Sequence, residues 1–214
     1  MVMNVFSNKY LIMRHGESEA NVAGLIVSDP AIGCERYGLT ELGRQQVLRS
    51  VTDYMLANLP TEASVSHPIS KVICSDFLRT IQTANQLSRI LGLPAPQIEP
   101  GLRERFFGDW EGKPDTHYPE IWKLDNEPVS QTIQNIETAI HVRRRGLDVI
   151  EKLERQFDNE VILLVSHGDM LQILLTAFFE IPAEQHRSLP HHKQAEIKSL
   201  MVNGQEFSTR LQVL

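Results

Sequence analysis

Apolar residues along this chain alternate between two periods. Short apolar runs at 11–13, 71–74 and 161–165 have the length of buried strands, and between them apolar positions recur at three- and four-residue spacing, as on one face of a helix. Val47, Leu48, Val51, Tyr54 and Met55 share such a face behind Thr40, which reads as an N-cap, and Pro60 stops the run. Leu78, Ile81, Ala84, Leu87 and Leu91 share another, opened by Asp76 as its cap and closed at Gly92. Ser130 opens a long helix marked by Ile133, Ile136, Ile140, Leu147, Ile150 and Phe157, with Arg143, Arg144 and Arg145 on its solvated side. Residues 161–165 are apolar throughout, as at the centre of a parallel sheet, and 169–179 form a helix apolar nearly all round. Residues 197–211 alternate about Asn203-Gly204, a hairpin signal that predicts antiparallel edge strands. Strands alternating with helices predict an α/β fold, a three-layer sandwich with a mostly parallel central sheet and helices on both faces.

Two stretches interrupt this rhythm. Residues 16–38 form a loop longer than compact domains commonly carry. Residues 94–128, rich in proline and aromatic-glycine clusters, predict an irregular capping insert with at most a short helix around Ile121. At 214 residues and 42% apolar content the chain predicts one domain spanning 1–214. No apolar run approaches the ~18 residues of a membrane span, and the first ten residues lack a signal peptide pattern, so a cytoplasmic protein without membrane contact is expected. Lys and Arg number 21 against 27 Asp and Glu, a net charge of −6, which is the wrong sign for neutralising nucleic-acid phosphates; no nucleic-acid partner is expected. Cys34 and Cys74 lack any paired spacing and predict core thiols in a reducing compartment, with neither disulfide nor zinc.

Three strand ends carry unusual polar residues: Arg14-His15-Gly16-Glu17-Ser18, then Ser75-Asp76 leading to Arg79, then Ser166-His167-Gly168. In an open α/β sheet the carboxyl ends of the strands converge on one crevice, so one site containing two arginines and two histidines is predicted. Guanidinium forks and helix N-termini together suit a tetrahedral dianion. Fixed positive charge disfavours the imidazolium and holds His15 neutral, the form able to attack phosphorus.

These residues resemble the histidine phosphatase superfamily, the phosphoglycerate mutase-like group named for its Arg-His-Gly signature. The match runs in order through Leu11 to Ser18 with Asn21, Tyr37-Gly38-Leu39-Thr40 with Gly43 and Gln46, Cys74 to Ala84, Leu102-Arg103-Glu104, Phe107 to Gly112, and Val165 to Gly168. The resemblance implies that His15 becomes phosphorylated, that Arg14 and Arg79 bind the phosphoryl oxygens, that His167 completes the pocket, that Glu104 donates the proton, and that Asn21 reaches the phosphate. It implies a phosphomonoesterase of small phosphorylated metabolites that needs neither cofactor nor metal. A small-molecule phosphate ester is its expected partner. A cofactor-dependent phosphoglycerate mutase shares the same pocket, but such mutases carry extra closing segments; a binding or scaffold member of the same fold is the third alternative.

Glu17, Asp109 and Glu111 compete with Glu104 for the role of acid, and His167 has an alternative reading as a residue that orients His15. Asp169 stands where the family often has Gly, Asn or an apolar residue, and a carboxylate there must point away from a bound phosphate. Gln194 stands where the family often has Asn and receives no ligand role. Gly108 to Lys113 matches a P-loop only in part, since the spacing is one residue short and Pro114 replaces the hydroxyl that would hold magnesium. His186, His191 and His192 lack the spacing of a metal site and predict a solvated basic loop.

Overall fold

The computed structural model describes residues 6–58, 68–126 and 134–200. Five strands form one sheet: β1 (Lys9–Arg14), β2 (Lys71–Cys74), β3 (Gln97–Ile98), β4 (Val161–Ser166) and β5 (Ile197–Ser199), in the order β3-β2-β4-β1-β5. All neighbours are parallel except β5, which runs antiparallel to β1 at the edge. β4 lies between β1 and β2 and is buried at every position, so an apolar run with no alternation is what its place requires.

The helices are α1 (Glu19–Ala23), α2 (Pro30–Gly33), α3 (Glu41–Ala57), α4 (Leu78–Leu91), α5 (Tyr118–Lys123), α6 (Ala139–Gln156) and α7 (Gly168–Phe178). On one face of the sheet Ile12, Ile73, Ile162 and Leu164 pack with Val142, Ile150 and Leu153 of α6 and Leu171 and Leu174 of α7. On the other, Met13, Val72, Leu163 and Val165 pack with Val47 and Val51 of α3 and Ala84 and Leu87 of α4. Successive residues of β4 thus feed opposite layers, which makes the three-layer α/β sandwich. No helix among the described residues is long and apolar enough to cross a membrane.

Several boundaries differ from the sequence expectation. The 16–38 stretch is not a bare loop, since Ser18 and Asn21 form a capping box on α1, and Asp29 caps α2 with Pro30 behind it. Thr40 caps α3 as expected, but Leu48 and Met55 are 50% and 45% exposed and only the Val47–Val51 stripe is core. Asp76 does not cap α4: the N-cap is Phe77, whose N–H goes to Ser75 Oγ, while the Asp76 carboxylate is taken by Arg103. The long helix starts at Ala139 with Thr138 as its cap, Ile140 is exposed, and Ile136 belongs to a separate cluster with Ile26, Phe107 and Ile121. Pro60, Ser130, Ile133 and Asn203-Gly204 lie outside the described residues; β5 stands where the first arm of the expected hairpin was placed. The 94–128 segment contains the expected short helix at Ile121, α5, and also the edge strand β3. Cys74 is buried, which pushes its thiol up to about 12, and Cys34 is half-buried at the end of α2.

Candidate active site

Parallel pairing of β1, β4 and β2 brings their carboxyl ends to one edge of the sheet. Arg14 ends β1, and the N–H of His15 continues the ladder to Ser166 O at 3.0 Å. Beyond it the chain turns against α3 so closely that a Cβ on Gly16 would lie 2.5 Å from Gly43 O, and one on Gly43 would lie 2.1 Å from Glu17 O. Only glycine at both positions allows this backbone approach, which fixes where His15 sits.

His15 is buried. Its Nδ1 lies 2.7 Å from Gly16 O, so Nδ1 carries the hydrogen, and its Nε2 lone pair accepts Arg79 Nε–H at 3.2 Å. Burial first, then Arg79 and Arg14, hold the imidazole well below the ordinary histidine range. His167, N-cap of α7, sits edge-on to His15 with ring centroids 5.3 Å apart. Ser75 Oγ accepts Phe77 N–H and lies 2.9 Å from His167 Nε2; with the serine hydroxyl as donor in that contact, the hydrogen of His167 is on Nδ1. His167 therefore does not orient His15 through a hydrogen bond; it is a second neutral donor, lowered chiefly by burial and then by Arg79.

Arg79, in the first turn of α4, is 4% exposed, and burial pushes its guanidinium down to about 10. It lies over the Phe77 ring at 4.8 Å and gives Nη2–H to Val27 O at 3.0 Å. Arg14 gives Nη1–H to His191 Nε2 at 2.8 Å and to His192 O at 3.3 Å. Among the described residues, Arg14 Nε, Arg79 Nη1 and His167 Nδ1 are buried without a hydrogen-bond partner. Buried donors are ordinarily satisfied, so three orphans from the ends of three adjacent strands mark the place of an acceptor-rich ligand.

Glu104 follows the turn Pro100–Leu102, and its Oε1 accepts the N–H of Arg105 at 2.9 Å and of Met170 at 3.1 Å. Burial and then the charge of Asp169 raise its carboxyl above the ordinary range. Of its competitors, Glu17 takes the Thr40 hydroxyl at 2.7 Å and Asp109 takes Asn135 at 3.1 Å, while Glu111 Oε2 takes Ser28 N–H and O–H at 2.7 Å each and its Oε1 is buried without a partner among the described residues. The carbonyl of Asn21 accepts Ser18 N–H, Ser18 O–H and Gln194 Nε2–H, so this residue closes the cap of α1 and ties Gln194 beside Arg14.

Two further expectations are corrected. Arg145 is not on a solvated face; it pairs with Glu137 at 2.8 Å and donates to the carbonyls of Gly101, Arg103 and Glu104, bracing the turn that carries Glu104. The 186–193 stretch is solvated only in part: Arg187, Ser188, Pro190, His191 and Lys193 are exposed, but His186 and His192 are buried and His191 holds Arg14. The Asp169 carboxylate accepts Trp122 Nε1–H at 2.8 Å. Among the described residues no group of three or more His, Cys, Asp or Glu is arranged to hold a metal ion. A cleft of about 690 Å³ opens beside Glu104, lined in part by Ser28, Asp29, Arg103, Phe106, Ile136 and Arg145.

The model of the histidine phosphatase superfamily (branch 1) matches residues 10–213. An adenosylcobalamin/alpha-ribazole phosphatase of Escherichia coli is 31% identical over 183 residues, 81% of this chain and 80% of the relative. The solved alpha-ribazole phosphatase of Shigella flexneri superposes with a TM-score of 0.62 at 28% identity, covering 89% of each chain. A mycobacterial glucosyl-3-phosphoglycerate phosphatase, solved in complex with VO3, shares the fold with a TM-score of 0.64 at 21% identity, over 88% of this chain and 90% of its own.

Proposed function

The chain belongs to the histidine phosphatase superfamily, whose chemistry is the hydrolysis of phosphate monoesters, and on that premise we propose that it hydrolyses small phosphorylated metabolites through a phosphohistidine on His15. The observation that carries this reading is a neutral, tautomer-fixed His15 surrounded by the three unpartnered donors of Arg14, Arg79 and His167. When the ester arrives, Arg79 Nε–H passes from His15 Nε2 to a phosphoryl oxygen and frees the lone pair. Nε2 attacks phosphorus, the P–O bond to the alcohol breaks, and Glu104 gives its proton to the leaving oxygen. The Gly16 carbonyl stabilises the charged imidazole through Nδ1–H. Water then attacks phosphorus while Glu104 takes its proton, the N–P bond breaks, and phosphate leaves with His15 neutral again. Arg14, Arg79 and the His167 N–H supply the compensation of charge on the equatorial oxygens.

The cleft beside Glu104 receives the alcohol, and its volume lies within the ~300–1,000 Å³ common for sites that bind metabolites. Its Arg103 is neutralised by Asp76 and its Arg145 by Glu137, so a leaving group without a second phosphate suits it. The insert 94–128 supplies both Glu104 and Phe106 and caps the site. An alpha-ribazole phosphate, the substrate class named for the relatives, fits these requirements in size and charge. The test is to quench turnover with radiolabelled ester: acid-labile, alkali-stable phosphate is expected on the protein and absent from His15→Ala, with free phosphate released at each turnover. Interconversion of 2- and 3-phosphoglycerate that outpaces phosphate release by orders of magnitude would replace this reading with a mutase.

A further inference from the structure

Asp169 is a carboxylate that the steps above do not use. It lies in the first turn of α7, two residues beyond His167, and is 4% exposed. Its Oδ2 accepts Trp122 Nε1–H at 2.8 Å and has Arg105 Nη1 and His186 Nε2 each at 3.9 Å; its Oδ1 has Arg187 Nη1 at 3.9 Å. Arg187 in turn stacks on the Trp122 ring at 3.5 Å and donates to Gln172 at 2.6 Å. The helix N-terminus itself has no side-chain cap. The carboxylate is thus held sideways, toward the insert, and the very next peptide N–H, that of Met170, donates to Glu104 Oε1. Two carboxyl groups withdrawn from water share one helix start.

We propose that Asp169 is a positioning residue that helps Glu104 hold its proton, through a buried carboxylate fixed at the same helix start. This rests on the reading of Glu104 as the general acid. Two like charges in one dry site do not both ionise readily, and Asp169 is the one faced by an indole N–H and by the guanidinium groups of Arg105 and Arg187. The raised Glu104 carboxyl agrees, with Asp169 second only to burial among its causes. The groups opposing it are Arg79 from α4 and the N–H donors of Arg105 and Met170. Tyr118 of α5 stays neutral, and Arg145 of α6 meets the main-chain carbonyl of Glu104 rather than its carboxyl. Arg105 and Arg187 face Asp169 and temper its field, Asp125 offsets Arg105, and His186, lowered by burial, adds no fixed cation.

The experiment measures kcat against pH for an alkyl phosphate and for p-nitrophenyl phosphate, whose good leaving group needs little acid. In Asp169→Asn the alkaline limb for the alkyl ester is expected to move down by about one pH unit, giving about a tenfold loss above the limb with KM unchanged, while p-nitrophenyl phosphate is spared. Arg187→Met, at a partly exposed position, removes a cation facing Asp169 and is expected to move the same limb upward, so the proposal stays testable if Asp169→Asn does not fold. Equal losses on both esters at every pH, or a limb that stays in place in both variants, would overturn the proposal. Glu104→Gln separates the two readings. If it abolishes the alkaline limb while the other variants leave it in place, only the role of Asp169 falls; if the limb survives in Glu104→Gln, the acid assignment itself falls.

Discussion

Two buried arginines in this molecule have opposite surroundings, and replacing each by methionine should separate stability from function. Arg105 and Asp125 are both fully buried and bonded through both guanidinium nitrogens, with Arg105 Nε donating to Glu137 O. Arg105→Met leaves a buried carboxylate without its guanidinium, a loss of about 3–5 kcal/mol, or roughly 6–20 °C in Tm for a chain of this size. Arg79 has no carboxylate within salt-bridge distance among the described residues, and its Nη1 is unpartnered. Arg79→Met relieves about 1–3 kcal/mol of unmet desolvation and forfeits the bonds to His15 Nε2 and Val27 O and the contact with the Phe77 ring, each about 0.5–1.5 kcal/mol. The net change centres on a loss of about 1 kcal/mol, or about 2–4 °C, well short of that in Arg105→Met. Phosphate binding reads the other side: at a hundredfold excess over Kd it should stabilise the native protein by about 2.7 kcal/mol, roughly 5–11 °C. That upward shift should persist in Arg105→Met and vanish in Arg79→Met. Thermal unfolding with and without inorganic phosphate measures both quantities. If Arg79→Met is destabilised as much as Arg105→Met, or keeps its phosphate-induced shift, the assignment of Arg79 as a cation held in readiness for an anion is wrong.

In Glu104→Gln the side-chain oxygen can still accept the N–H groups of Arg105 and Met170, so the fold should hold while hydrolysis of an alkyl phosphate falls about 10²–10⁴-fold and that of p-nitrophenyl phosphate changes little; equal losses would return attention to Glu17 and Glu111. His15 and His167 are buried neutral and held well below the ordinary histidine value, so the unfolded chain binds more protons than the native one below about pH 6.5. Stability is therefore full above that pH and declines beneath it, with a slope up to about 1.4 kcal/mol per pH unit for each histidine; urea titrations should show it, and a flat profile in acid would contradict it. Because arginines supply the positive charge of the pocket, EDTA should leave the rate unchanged and vanadate should inhibit, whereas a rate lost to chelation and restored by a divalent ion would require another mechanism.

The parts legible in the sequence were those in which one residue's environment is set locally. β1, β2 and β4 are buried strands and read as apolar runs, and the arginines and histidines at their ends stood out because polar residues there have no packing reason to exist. Asp76 was misread because a carboxylate just ahead of a helix fits a cap, and its actual partner, Arg103, lies 27 residues away. The helix start at Thr138 was equally invisible, because no local signal set this threonine above the other hydroxyl residues near it as the cap. Arg145 did leave a signal: three consecutive helical residues span about 200°, more than one solvated face can hold, so one of the three arginines had to turn inward. Asp29-Pro30 was likewise a helix-start pair inside the supposed loop. The burial of His186 between Asp125 and Asp169 depends on three segments meeting, and no local pattern encodes it.

The order β3-β2-β4-β1-β5 has a consequence for how the polypeptide is made. The strand that separates β1 from β2 is the fourth to be synthesised, so β1 emerges from the ribosome with neither of its sheet neighbours and waits until residue 161 for the first of them. Until then α3 and α4 have only half a layer to cover, and the apolar faces of β1 and β2 need shielding by a chaperone or by loose collapse. Pairing across so long a separation is slow by nature. A nascent fragment that stops short of β4 has β1, which ends at Arg14, and β2, which leads to α4 and Arg79, without the strand that holds them side by side, so the proposed phosphate pocket assembles only in the event that closes the sheet.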